Sequence, residues 1–401
     1  MRQISKVEFI ALTAMMFATI AFSIDAMLPA LPEIGAELSP GDVNRAQLIL
    51  TSFVAGMGLG TLLAGPVSDA LGRKRTVLGG AALYIAACLV AWKSETLEVV
   101  LAARFIQGIG AGAPRTVGVA IVRDLYSGRE MARMLSFAMM VFTLFPAFAP
   151  LMGAGIIAVI GWRGIFLAFI AFIAICVLWM SLRLPETLPP QDRRPFRAAL
   201  LWAALMELLR HPTVRLSMAV QTLCMAVLFS MLVMVQPAYD IIYGHGEDFP
   251  LWFAGVALLS GTASILNAAI VVRLGMRRIV SVTLGVQAAL AAAMLALNAL
   301  PLPDAVGFGL FVIWQASVFF MAGTTLGNLN AIAMEPMGHI AGTAASVMGA
   351  VSTVGAAILA SPLGQMFNGS LTPLAVGIFG FCLLGLVLMG RMARQEAKRT
   401  V

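Results

Sequence analysis

Three charged side chains lie where charge is expensive. Asp25, Arg104 and Arg115 each fall inside a long apolar stretch of this 401-residue sequence. A charge at bilayer depth costs at least about 2.5–3.5 kcal/mol and marks a functional site by default. Asp25 is the only embedded carboxylate, and His211, His245 and His339 all fall between apolar stretches. If protons move through this protein, Asp25 is their natural carrier. A neighbouring cation favours the ionised carboxylate and dehydration favours the neutral one, so a movement that changed either would capture or release a proton.

Arg104 is the candidate cation. Asp25 precedes the end of its apolar stretch by about six residues, and Arg104 follows the start of its own by about seven. At 1.5 Å per residue both lie roughly 10 Å below the same surface. Equal depth makes an Asp25–Arg104 pair geometrically possible, either in a shared water-accessible cavity or as a purely structural tie between two helices. Arg104 and Arg115 are eleven residues apart, about three helical turns, so they project from one face together with Gln107, Gly108 and Ala111. Such a stripe suits a solvated passage lined for substrate, while snorkelling toward the interface is the competing reading for Arg115. Phe22, Phe142, Phe145 and Trp314 are candidates to stack on a substrate, against ordinary packing. Gln221, Gln236, Asn267, Gln315, Asn328 and Asn330 either line the second half of a cavity or tie helices together.

The elements that must hold these residues are helices in a membrane. Hydrophobic residues make up 60% of the chain and charged residues 11%, against roughly 25% charged in ordinary soluble domains. That balance excludes a soluble enzyme and a disordered chain. The apolar content comes in runs of about twenty residues, the span of a bilayer core, which excludes the short alternating strands of a membrane barrel. Twelve segments are expected, near 7–31, 45–67, 76–93, 97–122, 134–160, 164–183, 213–239, 251–272, 279–299, 305–330, 341–367 and 371–390. The first is too long for a signal peptide, carries Asp25 and lacks a small-residue cleavage site, so it is read as a retained helix.

The net charge of +7 reflects topology rather than nucleic acid. With the N-terminus inside, 21 of the 26 Lys and Arg residues fall on the cytoplasmic side and three outside, with Arg104 and Arg115 inside segment four. This bias puts both termini in the cytoplasm. Between segments six and seven lies the longest polar interval, with Pro185, Pro189, Pro190 and Pro195 followed by a Leu- and Ala-rich stretch, Phe196–Arg210. That stretch is either an amphipathic helix on the membrane surface or a plain linker. The organisation expected is a six-helix bundle over 1–183, a cytoplasmic linker over 184–212 and a second six-helix bundle over 213–401. A weak repeat supports it: Gly72 and its trailing basic residues align with Gly275, Arg277 and Arg278.

Other motifs point away from chemistry. Gly56-Met57-Gly58-Leu59-Gly60 and Gly108-Ile109-Gly110-Ala111-Gly112 sit inside apolar spans without the context of a nucleotide loop, and close helix packing is expected of them. No Walker sequence and no HExxH motif occurs, and Cys88, Cys176, Cys224 and Cys382 form no CxxC pair. No enzymatic activity, cofactor or metal is expected.

The run Gly65-Pro66-Val67-Ser68-Asp69-Ala70-Leu71-Gly72-Arg73-Lys74-Arg75 resembles the signature between the second and third helices of the major facilitator superfamily, with Ala70 in place of the usual basic residue. The resemblance implies that Gly65, Asp69, Gly72 and Arg73 belong to a gate between the bundles. Arg104-Phe105-Ile106-Gln107-Gly108-Ile109-Gly110 is similar to the fourth-helix signature of proton-driven members, in which the arginine is linked to coupling. The runs from Ser23 to Pro32, Val122 to Tyr126, Gly161 to Arg163, Leu184 to Thr187 and Met334 to His339 resemble the bicyclomycin-resistance (Bcr/CflA) branch. The antiporter signature of the fifth helix is incomplete: Ala149-Pro150 and Gly153-Ala154 replace its pairs, and Phe145 stands where a glycine is usual. Pro150 and Gly153 still bend a helix.

The expected fold is therefore an all-α polytopic membrane protein of twelve transmembrane helices, with the major facilitator arrangement of two six-helix bundles. The function that the resemblance implies is proton-coupled export of small amphipathic compounds by alternating access, in a bacterial inner membrane. Asp25 and Arg104 would couple protons, and Arg115, Gln107, Phe22, Phe142, Phe145 and Trp314 would line the cavity. A symporter or facilitator for a small anionic metabolite is the alternative; a channel or a membrane sensor lacks the filter or the soluble domain it would need. The partners expected are lipid, protons and a small-molecule substrate, with no nucleic acid, and a monomer is expected because nothing marks a dimer face.

Overall fold

A bilayer leaves backbone amides no partner except one another, so long apolar runs must close their hydrogen bonds internally as helices. The computed structural model describes residues 4–397, the side chains at positions 132, 141–143 and 341 excepted. No strand occurs among the described residues, and twelve helices are long and apolar enough to cross a membrane. Arg2, Lys398 and Arg399 of the charge count lie outside the described residues.

The chain divides into two compact units at Ala198 and Ala199. In the first, α1 spans Lys6–Asp25, α2 Leu31–Leu38, α3 Leu48–Leu71, α4 Arg73–Trp92, α5 Leu97–Leu125, α6 Gly128–Ile160 and α7 Gly164–Arg183. The short helix α8, Ala198–Arg210, lies within the interval 184–212 and falls, but for its first residue, in the second unit. The second unit holds α9 (Pro212–Pro237), α10 (Phe249–Leu274), α11 (Met276–Leu297), α12 (Asp304–Met334), α13 (Ala341–Gln365) and α14 (Thr372–Ala397).

Most boundaries fall within a few residues of the hydropathy reading. The departures have local causes. Helix α6 begins at Gly128 rather than 134 and α14 runs to Ala397 rather than 390, because hydropathy marks only the apolar part of a helix, and Arg, Glu and Ala continue it in water. The first segment breaks where a single helix was expected. α1 stops at Asp25, a 3₁₀ turn covers Leu28–Ala30, and α2 carries the span on to Leu38. Pro29 has no N–H to give to the carbonyl four residues back, which is that of Asp25. Asp25 therefore sits at an internal break in the span rather than near its outer end.

Within the first unit, α5 is held against α3 by backbone approach. A Cβ on Gly108 would collide with the Phe53 carbonyl, one on Gly112 with Gly60, and one on Gly56 with Phe105. Glycines four apart on both helices thus form the contact, as small-xxx-small pairs do in membranes. The expectation of packing glycines is met. Gly80 and Gly110 make the same kind of approach between α4 and α5.

The α3–α4 turn is a polar knot. Gly72 takes φ 102°, a left-handed value that suits glycine. Glu186, just beyond α7, accepts from the amides of Arg73 (2.8 Å) and Lys74 (3.2 Å), so a carboxylate caps the N-terminus of α4, where the helix dipole favours negative charge. Lys74 Nζ donates to the Ser181 carbonyl at 2.7 Å, and the Arg194 amide donates to the Asp69 carbonyl at 2.9 Å. The second unit repeats the theme: Arg277 pairs with Glu335 (3.3 Å) beyond α12 and Glu396 (2.8 Å) on α14. By sequence Arg277 aligns with Lys74, and its hold on α14 parallels that of Lys74 on the end of α7, while its pairing with Glu335 parallels that of Arg73 with Asp124 at the end of α5.

Candidate functional site

Asp25 is 6% exposed and, among the described residues, makes no side-chain hydrogen bond or ion pair. The backbone fixes its place. Pro29 ends α1 at this residue, and Gly153 of α6 lies so close to the next one that a Cβ there would strike the Ala26 carbonyl. Gly153, expected to bend α6, is thus a contact residue, while Pro146 and Pro150 lie inside a helix that is continuous from Gly128 to Ile160.

Arg104 lies beside this break with 0% exposure. Its guanidinium donates to the Ser23 carbonyl at 2.8 Å, to Gln107 Oε1 at 2.6 Å and, more weakly, to the Ile49 carbonyl at 3.4 Å. It also rests over the Phe53 ring, 4.3 Å from its centroid. The Asp25–Arg104 ion pair that equal depth permits is not formed. Three oxygen acceptors and an aromatic face satisfy the cation, while the acid two residues along is left unpartnered. Ser23 Oγ meets the Tyr84 hydroxyl at 2.6 Å, and Gln107 Nε2 donates to Cys88 Sγ at 3.1 Å. Ser23, Tyr84, Cys88, Gln107 and Arg104 thus form one buried polar chain across α1, α4 and α5.

The stripe read on α5 is divided by this arrangement. Arg104 and Gln107 are buried rather than solvated, and Arg115 further along is half-buried. Phe22 meets Phe145 edge-on at 6.0 Å and Phe169 at 5.1 Å, and Phe172 closes the group. Phe22 is fully buried and Phe145 half-buried. The side chain of Phe142 lies outside the described residues. Trp314 belongs to α12 of the second unit, is buried against Phe311, and its Nε1 makes no hydrogen bond among the described residues.

The motif residues Gly65, Asp69, Gly72 and Arg73 meet at the α3–α4 turn. Arg73 is buried and donates from Nε to Asp124 at 2.9 Å, from Nη1 to Ser68 Oγ at 2.8 Å, and to Asp69. Ser68 Oγ in turn donates to the Gly65 carbonyl at 2.8 Å, and Thr187 Oγ1 donates to Asp124 at 3.0 Å. Sequence reasoning missed Tyr84, Phe53 and the capping role of Glu186. A tyrosine inside an apolar run gives a faint signal, because a buried hydroxyl needs a partner; Phe53 and Glu186 give none without the fold.

No group of three or more His, Cys, Asp or Glu placed to hold a metal occurs among the described residues.

The sequence profile described as Major Facilitator Superfamily matches residues 11–360. The MFS-type transporter YdgK of Bacillus subtilis (strain 168) is 29% identical over 369 residues, covering 90% of each chain. The bicyclomycin resistance protein homolog of Haemophilus influenzae is 28% identical, over 92% of this chain and 91% of its own. The multidrug resistance protein MdtL of Escherichia coli is 38% identical over 167 residues, 41% of this chain and 42% of its own. Among solved structures, a D-xylose-proton symporter superposes with a TM-score of 0.76 at 13% identity over 97% of both chains. Twelve apolar helices, a pair of units with matching polar clamps and a profile match spanning most of the length agree: this chain is a multi-pass membrane transporter of the Major Facilitator Superfamily.

Proposed function

We propose that this transporter exports small amphipathic compounds in exchange for protons, by alternating access, with both termini in the cytoplasm of a bacterial inner membrane. The observation that carries this reading is the state of Asp25: a buried carboxylate at a helix break, without a partner, two residues from the carbonyl that holds Arg104. A permanently buried, unpaired charge is costly, so a carboxylate in this setting is suited to bind a proton there and lose it where water enters. Arg104 would hold the α1 backbone in place beside it. Inward proton flow at 100 mV supplies about 2.3 kcal/mol per charge before any pH gradient, enough to drive export. The relatives named for bicyclomycin and multidrug resistance support a drug-like substrate. Arg115 and Phe145, both half-buried, would touch it from the first unit. Residues 1–183 and 213–401 would act as two bundles joined by the linker 184–212, in a monomer, with Asp69 and Arg73 gating.

The test is transport of a compound panel in proteoliposomes with an imposed pH gradient, comparing wild type with Asp25→Asn. Gradient-driven accumulation should vanish in the variant while substrate counterflow persists. Equal gradient-driven transport in both proteins would remove the proposal. A symporter for an anionic metabolite is favoured instead if accumulation follows the proton gradient in the same direction and depends on Arg115.

A further inference from the structure

Helix α8 has apolar residues on every side, with Glu207 as its one charge before the terminal Arg210. Ala204 and Leu208, four apart, are buried, and Glu207 is tied to His339 of the second unit at 2.7 Å. Large apolar side chains are left bare: Trp202, opposite Ala204 on the helix, is 64% exposed, Leu200 in its first turn 59% and Phe196, just before the helix, 45%. Exposed apolar side chains of this size call for an apolar cover, yet protein covers only one side of this helix. Arginines flank the helix in the sequence. Arg197, Arg210 and Arg215 are exposed, and no ion pair is recorded for them among the described residues. The only acid on α8 is turned to His339.

We propose that α8 lies in the headgroup layer of the cytoplasmic leaflet and binds anionic phospholipid. Trp202, Leu200 and Phe196 would enter the acyl boundary, and Arg197, Arg210 and Arg215 would contact lipid phosphates. Two things identify lipid as the occupant. The bilayer already surrounds the twelve spans to which α8 is joined, α9 beginning only two residues after α8 ends. The flanking charge is also purely cationic around an aromatic and aliphatic face, the composition of an interfacial helix at an anionic membrane. The leaflet assignment rests on the orientation proposed above. The lipid contact does not rest on the transport reading, and its test uses no transport readout.

The experiment places a nitroxide on Cys introduced as Ala203→Cys, on the bare side of α8, in the full-length protein. Collision rates with oxygen and with a water-soluble nickel chelate are compared in nanodiscs of phosphatidylcholine alone and of phosphatidylcholine with phosphatidylglycerol. The expected result is a label accessible to oxygen and shielded from nickel in the anionic discs, with nickel access rising in the neutral discs. The triple variant Arg197→Gln, Arg210→Gln, Arg215→Gln should lose the shielding in anionic discs, and Arg→Lys at the same positions should keep it. The lysine variant separates loss of charge from loss of fold. A label open to nickel in anionic discs overturns the proposal. So does shielding from both reagents, which would mean a protein contact, and so does a label indifferent to lipid charge in wild type and variants alike.

Discussion

Arg104 of α5 donates 2.8 Å to the backbone carbonyl of Ser23, and its reach ends there, two residues short of Asp25. The cation is anchored to the main chain of α1 and leaves the acid of the same helix free. An ion pair would have held both groups charged. Backbone anchoring instead keeps the arginine satisfied whatever the state of the carboxylate, as the proton exchange proposed for Asp25 would require.

Asp25→Asn should preserve the fold. The carboxylate makes no hydrogen bond to lose, and an amide is cheaper to bury than a charge. The melting temperature in detergent should be unchanged or higher, while gradient-driven transport is lost. A marked fall in melting temperature would show that the carboxylate has a structural role.

Arg104→Ala strands the Gln107 side chain and two carbonyls in a dry site. Leaving buried polar groups unpaired costs about 1–3 kcal/mol each, so this variant should express poorly and melt early. Arg104→Lys keeps the charge but loses the planar fork and the stacking on Phe53. It should fold at intermediate stability, and Arg104→Gln should fall below it. Melting curves of the three variants against wild type check the order.

Gly108→Val should prevent assembly of the first unit, because its side chain would meet the Phe53 carbonyl of α3. Backbone cannot yield as a flexible side chain does, and overpacking of this kind costs about 1–3 kcal/mol or more. Gly155→Ala, with open space around the new methyl, is the control and should be silent or slightly stabilising. Size-exclusion profiles of the two proteins distinguish them.

Glu186→Gln should loosen the linker. It weakens two bonds to the α4 amides by removing the charge, at about 1 kcal/mol in total for a capping carboxylate. Limited trypsin digestion should cut faster between Arg193 and Arg197 than in wild type. Equal cutting rates would mean that the Lys74 and Arg194 contacts hold the linker without Glu186.

Much of this architecture was readable because membranes make composition informative. Twelve spans, the packing glycines and the special status of Asp25 and Arg104 all follow from the cost of polarity in lipid. The break after Asp25 was written in Pro29 and Pro32, but the hydropathy of the first segment runs straight through it. Whether Arg104 would choose the acid or the main chain was not legible, since equal depth permits both and only the rotation of α1 decides. The same holds for Gln107, which depth and face place toward solvent and which the fold turns onto Arg104 and Cys88. Arg277 illustrates a further limit: alignment of the repeat pairs it with Lys74, and only its neighbours reveal that it combines the contacts that Lys74 and Arg73 divide in the first unit.

The contact between Gly153 and Ala26 has a mechanical consequence. With no side chain between them, the main chains of α6 and α1 touch at the residue after the acid. In the alternating access proposed above, a tilt of α6 could not be absorbed by rotamer changes there and would pass to the backbone next to Asp25. On the proton exchange proposed for Asp25, leverage on one helix and hydration of the carboxylate would be a single degree of freedom, and widening that contact by one methyl group would reset the point at which the acid meets water.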